Sequence, residues 1–182
     1  MPATTPRRRI LGPLVGLAIL GLTAGVAAAG GASHASARIV NGSNETIGWA
    51  RFTEDARGLV HVNVKVAGLT PGLHGIHIHS TGTCTPFSAA GPHYNPAPTH
   101  EHGLDNPDGA HAGDLPNLAV NVAGQGRLTG TTDRVTLTAE TTRLFDSDGS
   151  AVVIHMNPDD QVTDATNGNS GARIACGIIV AD

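Results

Sequence analysis

Apolar and polar residues alternate most regularly between Leu59 and Leu69, where Val60, Val62, Val64 and Val66 fall on one side and His61, Asn63 and Lys65 on the other. A period of two belongs to an extended chain with one dry face, so this stretch predicts a half-buried strand of an antiparallel sheet. His61 then lies on the wet face as an ordinary surface histidine. Ser36 to Val40 reads as a short first strand, Asn41-Gly42-Ser43-Asn44 as its turn, and Ile47 to Thr53 as its partner. Pro71-Gly72 turns the chain into His74-Gly75-Ile76-His77-Ile78-His79, another strand pattern. In it His77 and His79 project from one face and Ile76 and Ile78 from the other.

The alternation then stops. Ser80 to Pro116 has little apolar content and six prolines (Pro86, Pro92, Pro96, Pro98, Pro107, Pro116), with His93, His100, His102 and His111 spread along it. A loop this long inside a compact domain is disordered or functional. The histidines favour function, because bound metal orders a segment that apolar burial cannot. Strand patterns return at Leu118 to Val122, Gly126 to Leu128, Val135 to Thr138, Ala151 to His155 and Arg173 to Val180, with a second polar loop over Asn157 to Gly171. About eight short strands, two long loops and no helical period predict an all-β sandwich or flattened barrel.

The first 37 residues do not belong to that pattern. Arg7-Arg8-Arg9 precedes an uncharged Leu/Ala/Gly-rich run from Ile10 to about Ala32, and small residues follow at Ala27-Ala28-Ala29 and Ala35-Ser36-Ala37. This is the order of an export signal, of twin-arginine type, cleaved between about 29 and 37. An uncleaved membrane anchor is the alternative, the run being about long enough to span a bilayer. The remaining domain, 38–182, suits one hydrophobic core. Three of the 11 Lys+Arg lie in the leader and all 15 Asp+Glu lie beyond it, which leaves the domain a formal charge of −7. That domain shows no basic patch and no aromatic platform, which argues against nucleic acid as a partner. Membrane contact is expected only through a retained leader, in a protein whose place is extracellular, periplasmic or on the cell surface.

Charge excludes partners; the histidines suggest chemistry. His77 and His79 share a strand face, His155 ends another strand, and His93 is pinned between Pro92 and Pro96. His102, His111 and Asp114 follow within one loop. Three imidazoles and a carboxylate suit tetrahedral zinc, whereas an all-imidazole set suits copper, which cycles between two oxidation states. The zinc hydrolase motif that also opens with H-x-H needs Asp and His where this chain has Thr81 and Gly82. Cys84 and Cys176 are the only cysteines. In an exported chain the default is a disulfide, and two reduced core thiols are the alternative.

Four motifs, HGIHIH (74–79), GPHYNP (91–96), HAGDLPNL (111–118) and NGNSGARIACG (167–177), make the chain resemble the copper/zinc superoxide dismutases from about Ser36 to Ala181. The resemblance implies an immunoglobulin-like Greek-key sandwich. It implies copper on His77, His79, His93 and His155, and zinc on His93, His102, His111 and Asp114, with His93 shared by both ions. His100 and His102 both fall within reach of the zinc position. The family pattern selects His102, which Gly103 follows. His74 matches a structural histidine, Asp159 a carboxylate that hydrogen-bonds one copper and one zinc histidine, Arg173 the cation beside the open copper position, and Cys84–Cys176 the family disulfide. The implied activity converts two superoxide anions to dioxygen and hydrogen peroxide, with His93 and Arg173 as catalytic groups. A non-catalytic copper/zinc-binding protein on the same fold is the alternative. Ser80 stands where the family commonly has an acid, and Met156 to Ala172 carries no lysine or arginine. Dimer contacts differ between branches of the family, so a homodimer is left open.

Overall fold

The computed structural model describes residues 33–182 apart from Glu140, together with Met1 and Ala3. The leader's run of arginines and apolar stretch lie outside the described residues, but His34 to Ala37, which the sequence assigns to the leader, belong to the first strand, with Ala35 and Ala37 in the core. Nine strands follow in order: β1 (His34–Asn41), β2 (Thr46–Glu54), β3 (Val60–Val66), β4 (Gly72–His74), β5 (Ile76–His79), β6 (Leu118–Val120), β7 (Gly126–Thr132), β8 (Ser150–His155) and β9 (Arg173–Ala181). Two single-turn 3-10 helices, Phe87–Ala90 and Asp164–Thr166, are the only helical pieces among the described residues.

All pairings are antiparallel, in the order β4-β6-β7-β3-β2-β1-β9-β8-β5. The two edge strands are consecutive in the chain, parted by Gly75 alone, so the ends of the sheet are drawn together into a nearly closed barrel. The sequence reads 74–79 as one strand, and the structure divides it. β4 pairs with β6, whereas β5 pairs with β8. Gly75 makes the division by bonding across the gap: its N–H donates to Asn157 O at 2.8 Å and its carbonyl accepts from His155 N at 2.8 Å. A Cβ there would stand 2.7 Å from Ser170 Cβ, so no larger residue fits this crossing.

The alternation of β3 is carried through. Val60, Val62, Val64 and Val66 are buried, and they join Ile39, Phe52, Ile76, Ile78, Leu118, Leu128 and Ile154 in one core. Each such side chain contributes roughly 1.5–3 kcal/mol by leaving water. Cys84 and Cys176 form a disulfide. It pins the first long loop to β9 and, for a loop of this length, stabilises by about 4–5 kcal/mol in the chain-entropy model.

Two predicted strands differ. Val135 to Thr138 is not a strand, although Val135 and Leu137 are buried as its alternation requires. Its amides are taken by a side chain: the Glu54 carboxylate accepts from Leu137 N at 2.5 Å and Thr138 N at 2.9 Å. β6 ends at Val120 because Asn121 Oδ1 accepts from Ala123 N and Gln125 N and closes a turn, leaving Val122 in solvent.

The outer face of the sheet also holds a surprise. Beyond the leader the sequence has no basic run, yet register sets Arg38 opposite Trp49, Trp49 opposite Lys65, and Lys65 opposite Arg127 across four adjacent strands. A basic patch exists that the linear sequence hides.

Candidate metal centre

The centre is built on the free edge of β5. Ile76 and Ile78 enter the core, so alternation turns His77 and His79 outward, where the long loop folds over them and buries both. The loop is held by backbone bonds to that edge: Ile78 N to Gly113 O and Tyr94 N to Ile78 O, both at 2.8 Å, and Ser80 N to Pro92 O at 3.0 Å. Those bonds place His93 beside His79 and Asp114 beside His77 as isolated β-bridges. β8 pairs with the other side of β5 and delivers His155.

Four histidines, His77, His79, His93 and His155, bring one ring nitrogen each within 4.8 Å of the others, all buried. Each ring is fixed through its other nitrogen. His79 Nδ1 donates to Gly91 O at 2.8 Å and His155 Nδ1 to Gly171 O at 3.0 Å. His77 Nε2 lies 2.5 Å from Asp159 Oδ2. What remains is His77 Nδ1, His79 Nε2 and His155 Nε2, buried without a hydrogen-bond partner. Unpaired buried nitrogens cost stability and are rare. Three of them converging on one point fit a metal ion, and four imidazoles with no carboxylate fit copper. Burial, with the neighbouring histidines' charge, pushes His77 down to about 3 despite Asp159, and burial likewise pushes His155 down to about 4. His77 and His155 are therefore neutral at pH 7 and their lone pairs free to bind a cation.

A second cluster adjoins the first. Ligand atoms of His77, His93, His102 and Asp114 also lie within 4.8 Å of one another. Asp114 is its hub: Oδ1 meets His93 Nδ1 at 2.9 Å and His102 Nδ1 at 3.0 Å, and Oδ2 accepts from Gly103 N and His111 N at 2.9 and 3.0 Å. His111 is not in the tight group. Its Nδ1 stands 3.7 Å from Asp114 Oδ1 and is itself buried and unpartnered. A carboxylate among imidazoles is the donor set of zinc. Burial alone would lower His102, but hydrogen bonds to Asp114 and Asp159 outweigh it and raise His102 to about 9. Asp114 is held well below the usual carboxylate range, because the bonds from His102, His93 and Gly103 overcome its burial.

Asp159 ties the clusters together, reaching His77 on one side and His102 Nε2, 3.1 Å from its Oδ1, on the other. Its own placement depends on Asn117, which the motif HAGDLPNL contains but which the sequence reading did not single out. Asn117 Oδ1 accepts from Asp159 N and Asn117 Nδ2 donates to Asp159 O, both at 2.8 Å. Gly168 (φ +66°) allows the second loop to pass so close that a Cβ would overlap Asp159 Oδ1.

Arg173 opens β9 half-buried next to the four-histidine cluster. Its guanidinium donates to Phe87 O at 2.8 Å, Ser88 O at 3.2 Å and Gly91 O at 2.7 Å. Gly91 O is also the acceptor that orients His79, so one carbonyl couples the arginine to a candidate ligand. Its positive charge lowers His79 and His155 further. His74 is buried with Nδ1 2.8 Å from His155 O and Nε2 2.9 Å from Thr70 O, so neither nitrogen is left for a metal. His100 is exposed, as is His61; His102 is the buried member of its pair.

Residues 46–179 match the family model of the copper/zinc superoxide dismutases. This chain belongs to the copper/zinc superoxide dismutase family. It is similar to a superoxide dismutase [Cu-Zn] 2 of Aquifex aeolicus, 43% identical over 150 residues, which span 80% of this chain and 85% of the relative. A superoxide dismutase [Cu-Zn] of Caulobacter vibrioides is 40% identical over 149 residues, 80% of this chain and 84% of that one. Among solved structures, a SOD-like protein from Bacillus subtilis has a TM-score of 0.74 and 34% identity, covering 80% of this chain and 97% of its own. The Cu/Zn superoxide dismutase from Brucella abortus gives 0.66 and 28%, covering 80% and 98%. The family fold and both clusters of this chain thus agree.

Proposed function

We propose that this chain is an exported superoxide dismutase, turning two superoxide anions and two protons into dioxygen and hydrogen peroxide. The observation that carries this reading is the convergence of three unpartnered ring nitrogens, beside a carboxylate-centred cluster that shares His93. His77 Nδ1, His79 Nε2, His93 Nε2 and His155 Nε2 would hold copper, and His93 Nδ1, His102 Nδ1, His111 Nδ1 and Asp114 would hold zinc. His77 belongs with copper because Asp159 engages its Nε2 and only one nitrogen is left. Bound copper supplies the one-electron exchange with superoxide, and bound zinc a fixed positive charge beside it.

The chain's own residues do the rest. His93 offers Nε2 to the four-histidine side while Asp114 fixes Nδ1, so a proton held at Nε2 is presented to the product. Arg173 has at most three of its five N–H donors engaged by the loop carbonyls, which leaves donors for an anion. On a domain of charge −7 this attraction is local. Asp159 and Asn117 keep His77 and His102 in one tautomer. The leader directs export on this reading, and the N-terminal residue of the secreted protein, falling between about 29 and 38, checks it.

The alternative, raised already by the sequence, is a metal-binding protein without turnover, and the likeness to a SOD-like protein from Bacillus subtilis favours keeping it. Arg173→Ala separates the two. Dismutation by the copper- and zinc-loaded chain should fall at least about tenfold, as for loss of a charge that docks the substrate, with copper per chain unchanged by elemental analysis. A loaded wild-type chain with no superoxide dismutation sinks the enzymatic reading. Parallel loss of copper and activity in the variant would assign Arg173 to holding His79 through Gly91 instead.

A further inference from the structure

The domain is acidic, yet half of its eight cations occupy one face. Arg38, Arg51, Lys65 and Arg127 are exposed on β1, β2, β3 and β7, with Trp49 among them 50% exposed. Alternation puts all five on the outer face, since Ile39, Ala50, Phe52, Val64 and Leu128 enter the core. Register aligns Arg38, Trp49, Lys65 and Arg127 in a row across the strands, and Arg51 sits in the next row opposite Ser36 and Asn63. At about 4.8 Å between strands the row spans roughly 14 Å.

None of these four cations has an ion-pair partner among the described residues, and only Arg38 has a side-chain hydrogen bond, to Thr46. The outward positions of the four strands hold no acid. Glu54 turns the other way to bind Leu137 and Thr138, and Asp55, at the rim, pairs with Arg57 and His61. Lys65 directly opposite Arg127 is a like-charge cross-strand pair, which costs a sheet stability.

The surface is also channelled. Arg38 and Trp49 border one shallow groove, Trp49, Arg51 and Lys65 the next, and Lys65 and Arg127 a third. Trp49 stands between the first groove and the second, and Lys65 between the second and the third, so the three lie side by side across the strands. The groove of Trp49, Arg51 and Lys65 lies on β2 and β3, far in the strand order from β5 and β8, whereas the first groove also reaches Phe87, whose carbonyl holds Arg173.

We propose that this basic face, around Trp49 on β2 and β3, binds a linear anionic polysaccharide, a polymer of carboxylated sugars. Trp49 offers a flat apolar face against which a sugar ring can stack its C–H bonds, and the cations flank it at a spacing suited to one charge every ring or two. Nucleic acid fits less well. It carries a charge about every 1.7 Å, and its binders commonly meet about six to ten phosphates; four cations on a domain of charge −7 cannot match that density. Bound this way, an exported chain would be held on a polymer surface with its metal centre facing solution.

The test uses Trp49, the only tryptophan in the chain, as its own reporter. Polygalacturonate titrated into the metal-loaded protein at low salt should change Trp49 emission saturably, with affinity falling about tenfold or more between about 50 and 200 mM salt. A variant carrying Arg51→Ala and Lys65→Ala should bind about tenfold more weakly, with superoxide dismutation unchanged and Tm no lower, since losing Lys65 relieves its like-charge pairing with Arg127. A second variant, Arg38→Ala with Arg127→Ala, should do the same and guards against misfolding of the first. Absence of a response to polygalacturonate, undiminished affinity in both variants, or an equal response to uncharged dextran would each overturn the proposal. So would tighter binding of single-stranded oligothymidylate, which would make the face a nucleic-acid site.

Discussion

The two clusters around His93 use the same ring and opposite electrostatics. On the β5–β8 side, His79 and His155 are oriented by main-chain carbonyls, Gly91 and Gly171, and only His77 meets a carboxylate. On the Asp114 side, one buried carboxylate gathers two imidazoles and two amides. A neutral carbonyl fixes a ring without charging it, so the first cluster keeps uncharged donors and open lone pairs. A carboxylate concentrates negative charge, so the second cluster demands a cation, and without a metal the raised His102 supplies one as an imidazolium. One region is made to offer lone pairs and the other to hold positive charge in place.

Removing one member from each side tests this division most strongly. His155→Ala should abolish copper retention and bring dismutation down to the uncatalysed background, while zinc per chain stays near one. Asp114→Ala should do the reverse for the metals. It should also lower the stability of the metal-free chain by about 3–5 kcal/mol, because buried partners of the carboxylate are left unpaired. Elemental analysis with chemical denaturation reads both. If either substitution empties both sites equally, the clusters are one unit and the comparison fails.

How much of this was visible in the sequence depended on how local the cause was. β3 was legible because its alternation is unbroken, and its register follows from the valine face. His77 and His79 declared their shared face through the same period. The distant ligands were legible only through motifs: no local rule brings His93 or Asp114 to β5, since their placement rests on loop bonds to Ile78 and Ser80. Gly75 concealed the split of the histidine strand, because a glycine breaks register without changing the hydrophobic pattern. Val135 to Thr138 failed as a strand through Glu54, more than 80 residues earlier, whose carboxylate replaces a ladder partner. Asn117 carries no signal of its own in the sequence, because its role rests on two bonds to Asp159, 42 residues later. The basic face is the extreme case: Arg38, Arg51, Lys65 and Arg127 meet only when four strands pair.

Asp159→Asn sharpens the comparison by acting on both clusters at once. An amide can still accept from one ring but cannot serve His77 and His102 alike as an anion. Affinity should fall about 10–100-fold, the usual cost of losing a group that orients metal ligands. The loss should be larger on the Asp114 side, where Asp159 helps raise His102. Competition with a chelator for each metal measures it. Equal losses would mean that Asp159 acts through loop position, not charge.

The smallest effect, and the most direct reading of the opposed electrostatics, is the pH dependence of the metal-free chain. His77 and His155 titrate at about 3 and about 4 when folded, against 6.5 in a free chain, chiefly because burial opposes their charging. Between those values and 6.5 the unfolded chain binds more protons, so stability falls as the pH drops through that window. His102 is the mirror image. Raised to about 9 by Asp114 and Asp159 against its burial, it contributes fully below 6.5 and loses that contribution as the pH rises through about 9. The melting temperature should therefore peak near pH 6.5 and decline by several degrees on either side, more steeply toward acid, where several rings act together. His102→Asn should flatten the alkaline arm and leave the acid arm in place, because it removes the proton held by the carboxylates without changing how His77 and His155 are buried. Loading zinc should flatten the alkaline arm as well, since the metal takes over the charge that the proton on His102 had provided.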